Sequence, residues 1–75
     1  MAEIRYDPAE TFTLTPTQVR HIRVSMGYTK VALAKRLGVT PQTIYNWENG
    51  LKPIGKDNAY RLATLAQSRG INYES

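Results

Sequence analysis

Gln42, Thr43, Tyr45 and Asn46 place two carboxamides, a hydroxyl and a phenol within five consecutive residues. A carboxamide holds a donor and an acceptor side by side, the arrangement that matches N7 and N6 of adenine in the major groove of duplex DNA. Just beyond them, Lys52 and Lys56 stand in a proline- and glycine-punctuated loop, where their ammonium groups can meet a phosphate backbone. Such groups act only if a rigid element carries them, so the neighbouring residues decide the matter.

The carrier is Thr40-Pro41-Gln42-Thr43-Ile44-Tyr45-Asn46-Trp47-Glu48-Asn49-Gly50. Thr40 suits a helix N-cap, Pro41 the first helical turn, and Gly50 the left-handed stop, which predicts a helix of less than three turns. A helix this short is marginal by itself in water. Ile44 and Trp47, three apart, share a face and anchor it to a core, leaving Gln42, Thr43, Tyr45 and Asn46 to point elsewhere. Trp47 follows the period of Ile44 and is read as core rather than as a stacking platform.

Two helices precede it. Thr15-Pro16-Thr17-Gln18 has the form of a capping box, and Val19, Ile22 and Met26 make one apolar face before Gly27 ends the helix. Thr29 starts a second helix, in which Leu33 and Leu37 face the core beside the small Ala34, and Gly38 ends it. Only Gly38, Val39 and Thr40 separate that helix from the next, the sequence form of a helix-turn-helix. After the loop, Asp57 favours the start of a last helix whose buried face is Ala59, Leu62, Ala63, Leu65 and Ala66, with Gly70 as its stop. Tyr28 and Tyr60 read as packing residues with a wet hydroxyl. His21 lies off the apolar face and reads as an exposed side chain.

Seventy-five residues make one small domain. Without cysteine and with one histidine, neither a disulfide framework nor a zinc site is expected, and no cofactor is implied. The apolar runs are too short for a membrane span, and the first residues lack a signal-peptide pattern, so a cytoplasmic protein is expected. Charge is unevenly placed. Residues 15–56 carry seven cations, Arg20, Arg23, Lys30, Lys35, Arg36, Lys52 and Lys56, against Glu48 alone, a net +6. Residues 1–14 set Arg5 against Glu3, Asp7 and Glu10, a net −2. A concentrated basic middle suits a polyanion, although a merely solvated basic face has the same composition.

The run from Gly27 to Thr40, continued by Ile44 and by Trp47-Glu48-Asn49-Gly50, resembles the phage-repressor (Cro/C1, or Xre) family of helix-turn-helix proteins over about residues 14–70. Leu14-Thr15-Pro16 together with a proline after the third helix is also similar to antitoxin regulators of toxin-antitoxin operons. The resemblance implies that Gln42, Thr43 and Asn46 enter the major groove, with Tyr45 meeting a thymine methyl or a phosphate. It implies phosphate contacts from Thr29 and Lys30, to which Asn49, Lys52 and Lys56 are added, and an ion pair between Arg23 and Glu48. Many members carry glutamine where this chain has Lys30, which here trades an oriented amide for a less directional charge. Members also commonly have a fifth helix, for which this chain shows no counterpart; Phe12 and Leu14 are candidates to cover that surface.

The expectation is therefore an all-α, lambda-repressor-like domain of about four helices over residues 14–71, with an extended N-terminal arm over 1–13 and a frayed tail over 72–75. Its core is Val19, Ile22, Met26, Leu33, Leu37, Ile44, Trp47, Leu62 and Leu65. The function expected is sequence-specific binding of double-stranded DNA as a transcriptional regulator of bacterial or phage origin. A repressor acting as a homodimer is favoured, with a toxin or the transcription machinery as a further protein partner. The alternative is a protein-interaction module on the same scaffold, against which the polar and basic surface counts. Single-stranded RNA recognition lacks its exposed aromatics. Catalysis lacks a nucleophile with histidine and carboxylate in recognisable spacing, and a glycine-rich phosphate loop.

Overall fold

The computed structural model describes residues 12–73, and among these the regular structure is helical. Four helices follow in order: α1 (Pro16–Ser25), α2 (Lys30–Leu37), α3 (Pro41–Glu48) and α4 (Lys56–Ser68). The expected arm falls outside the described residues as far as residue 11, and the tail from residue 74.

Local chemistry sets the helix starts. Thr15 Oγ1 accepts the N–H of Gln18 at 3.1 Å while Gln18 Oε1 accepts the N–H of Thr15 at 2.9 Å, the reciprocal pair of a capping box. Thr29 caps α2 by accepting from the N–H of Ala32, and Thr40 caps α3 by accepting from that of Thr43. Helix α4 begins differently, behind Gly55, with no side-chain cap. Gly38 closes α2 in the left-handed conformation, φ 74°, and this reversal makes the three-residue turn into α3.

Each helix turns one stripe inward. Val19 and Ile22 of α1, Leu33 of α2, Ile44 of α3 and Leu62 of α4 are completely buried, and Ala34, Leu37, Trp47, Ala59, Ala63 and Ala66 complete the centre. On α4 three of the four inward residues are alanines, Ala59, Ala63 and Ala66. Helix α3 packs on both α1 and α2, and those two in turn pack on α4.

Two residues expected in the core sit at its margin. Met26 follows the last turn of α1 and is partly buried against the cluster. Leu65 is half-buried because Ala59, Leu62, Ala63 and Ala66 already form the inward stripe, and a residue three beyond Leu62 but one short of Ala66 lies to its side. The core gains Leu14, Ile54 and Tyr73 instead.

Tyr73 alters the reading of the C-terminus. The frayed tail expected over 72–75 does not begin there: Tyr73 is buried, meets the ring of Phe12 edge-on at 6.5 Å, and its carbonyl accepts from Gln18 Nε2 at 3.4 Å. Next to it, His21 Nε2 lies 3.1 Å from the carbonyl oxygen of Asn72. Phe12 also meets Tyr60 of α4 edge-on at 6.3 Å. Aromatic side chains from before and after the helices thus meet over α1 and α4, with no further helix there among the described residues.

Candidate nucleic-acid interface

Ile44 and Trp47 hold α3 from beneath, at 0% and 5% exposure. The opposite stripe, Gln42, Tyr45, Asn46 and Asn49, follows the spacing of three and four that lines one side of a helix. Gln42, Tyr45 and Asn49 are exposed and Asn46 is half-buried. Gln42 Nε2 donates to Asn46 Oδ1 at 3.1 Å, and Asn49 Nδ2 donates to the Tyr45 carbonyl at 2.8 Å. These bonds orient the amides along the helix while leaving each terminal NH2 a second hydrogen and leaving Gln42 Oε1 as an acceptor. The stripe therefore presents donors and acceptors together.

Thr43 stands apart from that stripe. It is half-buried, and its hydroxyl lies 2.9 Å from that of Thr40, so it shares its hydrogen bonding with the cap. Thr29 is exposed at the N-terminus of α2; its oxygen accepts from Ala32, which leaves the hydroxyl proton to donate. Lys30 is half-buried beside it, whereas Lys52 and Lys56 are exposed in the loop and at the start of α4.

One ion pair fixes the far end of α3. Arg23 Nε donates to Glu48 Oε2 at 2.6 Å and its Nη2 donates to Oε1 at 3.1 Å, a two-pronged grip. Arg23 Nη1 donates in addition to the Tyr28 carbonyl at 2.9 Å. The two side chains are only 11% and 3% exposed. One guanidinium thereby joins the end of α1, the loop into α2 and the end of α3. Geometry of this kind gives α3 a single setting relative to the scaffold.

Two further arginines act on the frame, and sequence reasoning missed both. Arg61 of α4 donates from Nη1 to the Leu37 carbonyl at 3.1 Å, satisfying an end group of α2 just before the turn. Arg69 donates to the Tyr28 hydroxyl at 2.8 Å and stacks its guanidinium 5.2 Å from that ring's centre. Each spans more than twenty residues, beyond the reach of any local spacing rule.

Two short helices crossing through a three-residue turn, with the second clamped from below and polar above, define a helix-turn-helix protein. Residues 19–67 match the helix-turn-helix family, and the chain belongs to its Cro/C1-type, phage-repressor-like branch. It is a DNA-binding regulator of transcription. Comparison with curated proteins finds no match. Among the described residues no helix is long and apolar enough to cross a membrane.

Proposed function

We propose that the protein is a repressor that binds an inverted repeat as a two-fold dimer, with α3 of each copy in the major groove. Gln42, Asn46 and Tyr45 read base edges, with Thr43 at their margin. Thr29, Lys30, Asn49, Lys52 and Lys56 hold phosphates. It works without a cofactor and without catalysis, in the cytoplasm of a bacterium or of a phage-infected cell. The observation that carries this reading is the exposed amide and phenol stripe on a helix whose other side is immobilised by Ile44, Trp47 and the Arg23–Glu48 grip.

A dimer is part of the proposal because one eight-residue helix covers about one half-site, too little for tight specific binding. Sequencing fragments selected by the pure protein from random duplex DNA tests the whole reading. A palindrome with half-sites about one helical turn apart is expected. Recovery of no shared sequence, or of one that Gln42→Ala and Asn46→Ala leave unchanged, defeats it.

A second reading has one observation in its favour. Val24, Val31 and Leu51 are all more than half exposed, and apolar side chains in water suit a protein partner such as a toxin or the transcription machinery. The two readings differ in their response to salt, which weakens phosphate contacts steeply and apolar ones little.

A further inference from the structure

A groove lies between the end of α2 and α4, lined by Arg36 and Leu37 of the one and Tyr60, Arg61, Leu65 and Ser68 of the other, with a volume of about 520 Å³. Its floor includes the half-buried Leu65 and the half-exposed ring of Tyr60, and its charged members are two arginines. A smaller hollow adjoins it, sharing Tyr60 and Thr64 and closed on its far side by Phe12 and Tyr73. An apolar trough with two cations beside it selects a segment that combines apolar and acidic side chains.

The chain itself contains such a segment. Residues 1–11, which precede the described part, read Met-Ala-Glu-Ile-Arg-Tyr-Asp-Pro-Ala-Glu-Thr, with Glu3, Asp7 and Glu10 against Arg5. Ile4 and Tyr6, spaced by two, share a side wherever the backbone is extended. The attachment point is favourable as well, because Phe12 rests against Tyr60, a residue of the groove. From there the stretch back to Ile4 can span roughly 26 Å when extended, against about 12 Å along α4 from Tyr60 to Ser68.

We propose that this groove is the docking site of the chain's own acidic N-terminal segment, with Ile4 and Tyr6 over Leu65 and Tyr60 and the carboxylates toward Arg36 and Arg61. Docking there directs the acidic residues to α2 and α4 rather than to the stripe of α3, where negative charge would oppose a polyanion. The inference stands independently of which DNA sequence is bound.

The chain has no cysteine, so Ala2→Cys in the full-length protein accepts a nitroxide label at one place only. Paramagnetic broadening of amide signals is then read in isotopically enriched protein. Broadening at Thr64, Leu65 and Ser68 is expected, lost in the triple variant Glu3→Lys, Asp7→Lys, Glu10→Lys and also lost in Arg36→Glu. Reversal within the segment leaves the helical frame untouched, so that arm stays informative even if Arg36→Glu disturbs folding. Broadening confined to residues 12–15 overturns the proposal, as does groove broadening that survives the charge reversal. A mixture of labelled chains with enriched unlabelled ones supplies the last arm. Broadening of the enriched chains would give the groove to the segment of a second copy and also overturn the intramolecular assignment.

Discussion

Arg23 contributes three donors to two partners, the Glu48 carboxylate and the Tyr28 carbonyl, so the effect of losing it or its partner is predictable from burial. Glu48→Ala strands a guanidinium that is nearly out of water, and removal of one member of a buried pair typically costs about 3–5 kcal/mol. Urea unfolding should show that loss, and the double change Arg23→Met with Glu48→Ala should cost less than the two singles together. Gln42 and Asn46 behave differently, since both are solvent-accessible and hydrogen-bonded to one another. Gln42→Ala or Asn46→Ala should leave stability within about 0.5 kcal/mol. Each should lower discrimination by about 1–3 kcal/mol at one base pair, measured by competition against single-base operator variants. Because each orients the other, the double variant should lose less than the sum. Lys30→Ala should instead weaken binding to all sequences alike and reduce the salt slope by about 1.

Helix α3 is about 12 Å long and has little stability of its own, so its position depends on what lies under it and before it. Gly38 meets nothing within 4 Å where a Cβ would stand, yet its φ of 74° strains any other residue. Gly38→Ala should therefore cost about 1–2 kcal/mol through backbone conformation alone, seen as a lower urea midpoint with an unchanged slope. The first three helices were legible because their punctuation is local: threonine caps, proline behind two of them, glycine after each. The start of α4 was less so, since Gly55 offers no capping side chain. Leu65 was misplaced because the alanines around it allow two overlapping inward stripes, and only packing against the other helices chooses between them. Arg61 on the Leu37 carbonyl and Arg69 on Tyr28 were invisible to spacing rules for the same reason. They join residues that meet only after the helices have assembled. The pairing of Arg23 with Glu48 likewise entered through family resemblance, not through any local pattern.

Across the whole molecule, the chain closes its core with side chains from both flanks of the helical unit. Phe12 and Leu14 from before the first helix and Tyr73 from after the last cover α1 and α4, and none of the three belongs to a helix. Their role was hard to foresee because an aromatic near a chain end carries no period that distinguishes anchorage from fraying. Tyr73→Ala should remove the ring contact with Phe12 and lower stability by about 3 kcal/mol, measured by thermal or urea unfolding, while the base preference stays as it was. DNA affinity should fall with salt at a log–log slope near −5 if about six phosphates are neutralised, and a duplex bearing one half-site should bind far more weakly than the full repeat. A flat salt response would favour a protein partner instead.

Trp47 is the one indole of the sequence, and it lies under α3 at 5% exposure. Its fluorescence therefore monitors the seating of this helix with little interference from the rest of the chain. A red shift that precedes loss of far-ultraviolet ellipticity would reveal α3 lifting off while its scaffold persists. Coincident transitions would show that the two come apart as one cooperative unit.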